Sequence, residues 1–470
     1  MPILFLGIPL LAVVTLNLFT WANRKSAFLA AMAASVCQLG LAAYDMVRCF
    51  LTGEEMTSTF FGTFSVDLFT AVVLFLIALI CCVTLLVAGE LVKSHRFTFG
   101  GVMLLLMMGM NGVVMVRDLF SLYAFIEITG ASSFLLIAID STRDELEGAF
   151  KYYLMSALAT AMMLGALAVF FLLVGDTSFV AVSAYIQGHA GEHPTMLMGA
   201  LVLYTAAIAI KSGAVPFHSW VPDAHSSAPS PVSVVLAGIV IKVSGVYTMM
   251  RLYRDVFAYD SRIASVMLVL GLASVIVGAL GALGQTDIKR MLAFSSVSQI
   301  GYIVLGAATG SPIGFVGAMM HFFNHATFKS LLFVDAAAIL HETHTRNMDE
   351  MGGLAERMPL TGLTSVIGLL SMAGIPPLSG FWSKLLIIIA LWQVSSPVAL
   401  AALLASVLTL TYFLVLQKKV FYGKLNPKLA GARECRGRLR FVQVALAAVN
   451  VLAGLAFPVV LLLLQNSGMI

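Results

Sequence analysis

The sequence predicts an all-α polytopic membrane protein with about fourteen transmembrane helices, and three observations lead to that fold class. Apolar residues make up 60% of the 470-residue chain, and charged residues make up only 11%. The mean hydropathy is +0.98. The apolar residues fall in runs that approach the ~20 residues a bilayer requires. So few charges cannot cover a soluble protein of this length, so no separate soluble domain is expected.

The predicted spans follow one another with short polar interruptions. In chain order they cover residues 3–21, 27–50, 66–92, 97–116, 118–139, 150–174, 196–225, 231–253, 262–284, 289–309, 312–340, 359–393, 397–421 and 441–465. The seventh and twelfth are long, and Gly and Pro interrupt both. Unwound backbone at that depth is tolerated only where it faces protein or water.

Basic residues orient these spans. Of the 27 lysines and arginines, 18 lie in the odd-numbered connections and five, including Arg251, in the even-numbered ones. The positive-inside tendency places the odd-numbered connections in the cytoplasm and both termini on the outer face. The small excess of basic over acidic residues therefore reflects membrane topology, and no nucleic-acid site is expected.

Four lysines remain, and all of them fall inside predicted spans. A charged side chain at mid-membrane costs about 2.5 kcal/mol or more on insertion scales. Four such residues are hard to tolerate without a purpose, so they predict a polar pathway through the membrane. They are Lys211, Lys242, Lys329 and Lys384.

Glu127 is the best-centred carboxylate in the chain, and Lys211 is its predicted partner. At ~4 Å and an effective dielectric near 20, such a pair is worth about 4 kcal/mol before desolvation. Separating the two groups would make Lys211 release its proton more readily. The alternative is a static pair that only fixes helix packing.

Lys242 lies about a dozen residues into the eighth span. Alternatively, this lysine snorkels to an interface.

His321, His325 and Lys329 recur every four residues in the eleventh span, so they line one helical face. Either histidine could pass a proton on through water near neutral pH. Alternatively, at least one histidine is structural, or the pair is half of a metal site.

The two interrupted spans repeat one pattern, in which an intramembrane lysine accompanies helix-breaking residues. Lys211 precedes the interruption in the seventh span, whereas Lys384 follows the one in the twelfth. Matching interruptions in two halves of a transporter point to an ion pathway and to an inverted repeat. The helix breakers are Gly213 and Pro216, then Gly374, Pro376 and Pro377.

Two further residues are candidate relays. His218 follows the first interruption near the inner surface. Asp335 lies inside the eleventh span, where it could instead pair with Lys329 or snorkel. No metal site is predicted, because the five cysteines show none of the spacings typical of clusters or zinc sites.

Four stretches carry a family resemblance that covers roughly residues 60–425. They are similar to the antiporter-like membrane subunits of respiratory complex I, a family that includes the Mrp sodium/proton antiporters and the membrane arms of group 4 hydrogenases. The stretches are "KSGAVPFHSWVPDAHSSAPSPVSVVLAG", "QTDIKRMLAFSSVSQIGYIVLG", "HFFNHATFKSLLF" and "AGIPPLSGFWSK".

The resemblance implies one transmembrane domain over residues 1–470. Two inverted five-helix repeats, each with one broken helix, would cover residues 96–255 and 256–425, between N-terminal helices at 1–95 and a C-terminal helix at 426–470. By motif position, Glu127 matches the family's essential glutamate, Lys211 its partner and Lys242 the central lysine of the first half. The His321, His325 and Lys329 face matches the connecting face of the second half. Lys384 matches the terminal site, where some members carry glutamate.

The resemblance also implies a function, which is proton translocation within a prokaryotic inner-membrane redox complex of the complex I or hydrogenase type. Partners would be other antiporter-like subunits and a redox arm carrying iron–sulfur clusters with a flavin or nickel–iron centre. This chain itself is expected to bind no cofactor and to catalyse no redox step. One alternative is an Mrp-type sodium/proton antiporter, and another is a structural subunit whose polar axis no longer conducts.

Overall fold

The computed structural model describes residues 2–18, 24–58, 64–189 and 191–466. Residues 19–21, the end of the first predicted span, lie outside that description. A small antiparallel hairpin pairs β1 (Met56–Ser58) with β2 (Phe64–Val66). The α-helices are α1 (Leu4–Leu18), α2 (Arg24–Thr52), α3 (Leu68–Leu91), α4 (Arg96–Met115), α5 (Leu119–Ile137), α6 (Arg143–Val174), α7 (Phe179–Gly188), α8 (Pro194–Ser212), α9 (Trp220–Ser227), α10 (Ser230–Val235), α11 (Thr248–Asp255), α12 (Ser261–Leu283), α13 (Ile288–Ala308), α14 (Pro312–Thr343), α15 (Pro359–Ala373), α16 (Ser379–Val394), α17 (Ser396–Val420) and α18 (Gly437–Asn466).

The distribution of side chains is that of a membrane protein. Among the described residues, eleven helical segments are long and apolar enough to cross a bilayer. Large apolar side chains are exposed, as at Leu172 with 76% exposure, while many Ser, Thr and Lys side chains are buried. The all-α polytopic fold is therefore confirmed, and the count of fourteen spans and the inverted repeats remain predictions.

Both interrupted helices end in the same way. Gly213 adopts φ 65°, and its N–H closes on the carbonyls of Ala209 and Ile210, so α8 stops at Ser212. Gly374 adopts φ 85°, and its N–H closes on the carbonyls of Leu370 and Ser371, so α15 stops at Ala373. A left-handed conformation is available to glycine at little cost, which makes it the usual helix terminator.

After each of these glycines the chain passes a cis X–Pro peptide bond before the next helix begins. The bonds are Val215–Pro216 and Pro376–Pro377. Helix α9 then starts at Trp220, and α16 starts at Ser379. The interruptions lie at the residues singled out in the sequence.

The segment between α10 and α11 is continuous but not regularly α-helical. Leu236–Val240 and Lys242–Tyr247 are π-helical. The apolar core of the whole segment, Ser230–Asp255, is entirely buried. π-Helical turns are rare in proteins, and those that do occur are often found at functional sites. The sequence does not predict this feature, which lies around one of the four intramembrane lysines.

The chain divides into two compact units. The first contains Met1–Leu85, Val92–Gly213 and Ile239–Ile263. The second contains Leu86–Leu91, Ala214–Gly238 and Ala264–Ile470. The chain therefore leaves the first unit at Gly213, the residue that ends α8.

In the first unit, a buried ion pair joins the start of α3 to α11. Arg251 donates from Nη1 to Asp67 Oδ2 at 2.7 Å and from Nη2 to Asp67 Oδ1 at 2.8 Å. Burial acts to raise the pKa of Asp67, but the Arg251 guanidinium outweighs burial and holds that pKa well below its usual range. Arg251 lies inside α11 at 3% exposure.

Gly245 allows the π-helical segment to pack directly on the last turn of α8. A Cβ at Gly245 would lie only 2.3 Å from Ser212 Cα and 2.5 Å from Ser212 N. These are backbone atoms, so no side-chain rotation relieves the contact. Ser212 follows Lys211 directly, so this contact helps to position the lysine that the sequence pairs with Glu127.

We expect Gly245→Ala to lower the midpoint of thermal unfolding, because overpacking a well-packed contact costs about 1–3 kcal/mol. The matched control is Gly165→Ala on α6, where an added Cβ would have no neighbour within 4 Å. Thermal unfolding of the detergent-solubilised protein measures both variants. Equal midpoints for the two would contradict the close approach at Gly245.

Candidate functional site

The structure brings Glu127 and Lys211 into direct contact inside the first unit. Lys211, in the last turn of α8, donates from Nζ to Glu127 Oε1 at 2.9 Å and to Ser156 Oγ at 2.6 Å. Thr160 donates from its hydroxyl to the same Glu127 oxygen at 2.6 Å. The ion pair is therefore built from α5 and α8, and α6 supplies two hydroxyl groups that surround it.

The two partners differ in burial. The Lys211 side chain is 2% exposed, whereas the Glu127 side chain is 35% exposed. The ammonium group depends on its protein partners to replace lost water, while the carboxylate keeps part of its access. Glu127 is thus the partner that can respond to its surroundings.

Ser156 and Thr160 are functional candidates that the sequence reasoning missed. They are four residues apart on an otherwise apolar stretch of α6, so they share one helical face. Both contact the Glu127–Lys211 pair. A pair of hydroxyls at this spacing was the signal that could have identified them.

Lys242 belongs to the π-helical stretch Lys242–Tyr247 of the first unit. Its side chain is 1% exposed. This burial excludes the alternative in which the ammonium snorkels to an interface, because snorkelling requires the head group to reach water. Ser244, two residues on, donates from its hydroxyl to the Val240 carbonyl at 2.9 Å.

In the second unit, α14 carries the histidine face. His321 Nδ1 lies 2.9 Å from Ser383 Oγ, and its Nε2 lies 3.2 Å from Gln299 Oε1. The rings of His321 and His325 are nearly parallel, with 12° between their planes and 6.4 Å between their centroids. The two histidines therefore lie on one face of α14, as their spacing predicts.

Lys329 lies one helical turn after His325 on α14 and is fully buried. Its Nζ donates to the Leu292 carbonyl at 2.7 Å and to Ser295 Oγ at 2.5 Å. Both oxygens belong to α13. The Ser295 hydroxyl back-bonds to Leu292 at 2.9 Å, so one turn of α13 forms the receptor for this ammonium.

Lys384 on α16 reaches back over the second interruption. Its Nζ donates to the Met372 carbonyl at 2.8 Å, in the last turn of α15. The same Nζ lies 4.6 Å from the centroid of the Tyr302 ring. A cation is favoured at the carbonyl end of a helix and over an aromatic face. The helix break therefore supplies the oxygen that holds the lysine.

The two candidate relays have different surroundings. His218 lies between α8 and α9 and packs its ring edge against Phe294, with 6.2 Å between centroids. Asp335 is 2% exposed. Its Oδ1 accepts hydrogen bonds from Thr364 Oγ1 at 2.9 Å and Gln443 Nε2 at 2.8 Å. Pairing of Asp335 with Lys329 is not supported, because Thr364 and Gln443 bind this oxygen.

A metal site at the pair of His321 and His325 would need at least one further ligand. Across the part of the chain that the structure describes, no group of three or more His, Cys, Asp or Glu side chains is arranged to hold a metal ion. His321 instead contacts neutral groups on α13 and α16.

Comparison with known proteins identifies the family. Residues 116–409 match the family described as NADH:quinone oxidoreductase/Mrp antiporter, transmembrane. The chain belongs to this family. The match includes Glu127 and the four lysines that the sequence places inside spans, from Lys211 to Lys384. The antiporter-like assignment made from the four motifs is confirmed.

Relatives in this family come from both branches of its name. An NADH-quinone oxidoreductase subunit of Desulforudis audaxviator is 34% identical over 341 residues, which is 72% of this chain and 67% of that protein. An Na(+)/H(+) antiporter subunit of Alkalihalophilus pseudofirmus is 29% identical over 394 residues, which is 83% of this chain and 79% of that protein.

Two solved structures share the fold along nearly the whole chain. A chain of the Mrp complex from Dietzia sp. superposes with a TM-score of 0.90 at 25% identity, covering 98% of this chain and 95% of that one. A chain of the membrane-bound sulfane sulfur reductase, an archaeal respiratory membrane complex, gives 0.89 at 24% identity, with 99% and 96% coverage. The chain is thus an antiporter-like membrane subunit.

The unequal burial of the ion pair predicts unequal effects of removing its partners. Glu127→Gln leaves the buried Lys211 ammonium without its countercharge, a defect worth about 3 kcal/mol. Lys211→Met leaves a carboxylate that is partly exposed, so we expect a smaller fall, near 1 kcal/mol. Thermal unfolding of the detergent-solubilised protein measures both. A larger fall for Lys211→Met would contradict this assignment of burial.

Proposed function

We propose that this chain is the proton-translocating subunit of a multisubunit membrane complex. The observation that carries the proposal is the Lys211–Glu127 ion pair, with 2.9 Å between Nζ and Oε1 inside apolar helices. The proposed route uses polar groups of each unit: Glu127, Lys211 and Lys242 in the first, and His321, His325, Lys329 and Lys384 in the second, with His218 and Asp335 as relays.

The ion pair acts as the controlled step in this proposal. While Glu127 contacts Lys211, the carboxylate and the Ser156 hydroxyl stabilise the ammonium. When Glu127 moves away, the buried lysine loses its countercharge and releases its proton more readily. A conformational change in a neighbouring subunit needs to move only the partly exposed partner.

Lys384 supports transfer in the second unit. Its described contacts are to the carbonyls of Met372 and Ala373 and to the Tyr302 ring, all of them uncharged. Carbonyl oxygens stabilise the charged form without a carboxylate, and they remain in place when the proton leaves. The group can therefore lose and regain a proton without breaking an ion pair.

The two inverted repeats, residues 96–255 and 256–425, form part of the proposal. Their support is the similarity of the two interruptions, because Gly213 and Gly374 end their helices with the same left-handed cap. Each cap lies beside a buried lysine, Lys211 in one case and Lys384 in the other. Such matching breaks are characteristic of repeats that surround an ion pathway.

We propose that partner subunits drive this translocation by electron transfer. The similarity to an NADH-quinone oxidoreductase subunit supports a redox arm whose chains carry iron–sulfur clusters and a flavin or nickel–iron centre. The complex would lie in a prokaryotic inner membrane with both termini of this chain outside. A second candidate is sodium/proton exchange without redox coupling, which the similarity to the Mrp complex favours.

Lys211→Ala and Glu127→Gln are each expected to reduce proton flux of the assembled complex by at least about tenfold, a threshold set below the roughly hundredfold that a positioned proton-transfer group typically contributes. Flux is measured in vesicles with a pH-sensitive dye. The matched controls are Lys151→Ala and Glu147→Gln, which break an exposed pair with 2.7 Å between Nζ and Oε1. Wild-type flux in the Lys211 and Glu127 variants would overturn the proposal.

Sodium dependence separates the two candidates. For a redox-driven subunit, we expect proton flux to require an electron donor and to be unchanged when potassium replaces sodium. For an Mrp-type exchanger, an imposed sodium gradient would drive proton flux in vesicles without any donor. Co-purification of the chain's partners provides the second measurement, because a redox arm contains iron that elemental analysis detects.

A further inference from the structure

The second unit contains a large polar cavity outside the groups considered so far. Its volume is about 700 Å³. It lies where the last residues of α3 and α14 meet the segment before α18, at the side of the odd-numbered connections. Its charged lining is mixed in sign and includes Glu90, Glu356, Glu434 and Arg440.

Glu434 connects this cavity to the helices. Its Oε1 accepts a hydrogen bond from Thr361 Oγ1 at 2.6 Å. Its Oε2 accepts from the backbone N–H groups of Leu360 and Thr361, at 2.7 and 3.3 Å. Both carboxylate oxygens are therefore bound to the first turn of α15, although Glu434 itself lies in the segment before α18.

The hydrogen bonds continue inward from Thr361. Gln443 on α18 donates from Nε2 to Thr361 Oγ1 at 3.1 Å and to Asp335 Oδ1 at 2.8 Å. The two oxygens are thus at most about 6 Å apart, a separation that one water molecule bridges. Thr361 and Gln443 have no exposed surface, and Asp335 has 2%. The chain of contacts leads from the cavity wall to a fully buried carboxyl on α14.

Asp335 ends this chain with an unused oxygen. Among the described residues, its Oδ2 has no hydrogen-bond partner. A buried carboxyl without a countercharge is costly unless it carries a proton. Asp335 lies six residues beyond Lys329, which is about 9 Å along the axis of α14. The unused oxygen is therefore free to carry a proton between the cavity side and Lys329.

We propose that Glu434, Thr361 and Asp335 form a proton-uptake route from this cavity into the second unit, with Gln443 as the positioning residue. The inference rests on the proposed function and extends it by naming where protons are taken up. Glu356 also lines the cavity, but the acid that accepts the hydrogen bond from Thr361 is Glu434.

The steps conserve protons. Glu434 takes one proton from cavity water and donates it to Thr361 Oγ1. The Thr361 hydroxyl donates to Glu434 in this structure, so it must turn away from Glu434 as it accepts that proton. It then releases its own proton through a bridging water to Asp335, which becomes a neutral acid. Release of that proton from Asp335 toward Lys329, on the same helix, restores the starting state. Cys435, next to Glu434, takes no part near neutral pH, because burial raises the pKa of its thiol to about 12.

The experiment measures proton flux in vesicles containing the assembled complex. Thr361→Val keeps the shape of the side chain but removes the hydroxyl, and Asp335→Asn keeps its size but removes the titratable group. Each is expected to reduce flux about tenfold or more. Thr361→Ser and Asp335→Glu retain the chemistry and are expected to keep most of the flux, which a purely structural role would not require.

The matched control is Thr411→Val on α17, where the hydroxyl is exposed and donates only to the Val407 carbonyl of its own helix. Flux at the wild-type level in Thr361→Val and Asp335→Asn, together with loss in Lys211→Ala, would overturn this route and leave the proposed function standing. Flux at the wild-type level in Lys211→Ala as well would overturn both. Equal loss in Thr361→Val and Thr361→Ser would also reject the route.

Discussion

An ammonium group taken out of water must be surrounded by oxygen, and this constraint governs the polar interior of the protein. Three buried lysines satisfy it in different ways. Lys211 uses a carboxylate and a hydroxyl, Lys329 uses a carbonyl and a hydroxyl, and Lys384 uses a carbonyl and an aromatic face. Each arrangement stabilises the charged form to a different degree, so a proton moving among them would meet sites of different affinity.

The interrupted helices provide some of the oxygen atoms that the buried lysines need. A regular helix pairs most of its carbonyls internally, whereas a helix end leaves its last carbonyls free for other donors. Lys384 takes such a carbonyl, at Met372, where α15 has just ended. The glycine that ends the helix therefore also creates part of the binding site for the lysine. Lys211 lies in the last turn of α8, but its partners come from α5 and α6 instead.

Hydroxyl side chains link these charged groups to their surroundings. Ser156 and Thr160 surround the Glu127–Lys211 pair, Ser295 holds Lys329, and Thr361 joins Glu434 to the interior. A hydroxyl both accepts and donates, so it can satisfy a neighbour in either protonation state.

The sequence by itself determined the all-α membrane fold, the two interruptions and the family, because hydropathy, glycine and proline act locally along the chain. It also identified Glu127 and the four lysines, since a charge in an apolar run is visible without a structure. Only the tertiary structure decided which oxygens hold Lys211, Lys329 and Lys384, that Arg251 of α11 pairs with Asp67, and that Glu434 connects to Asp335 through Thr361 and Gln443. Those contacts join residues far apart in sequence, and side-chain hydrogen bonds depend on helix packing that no local pattern encodes.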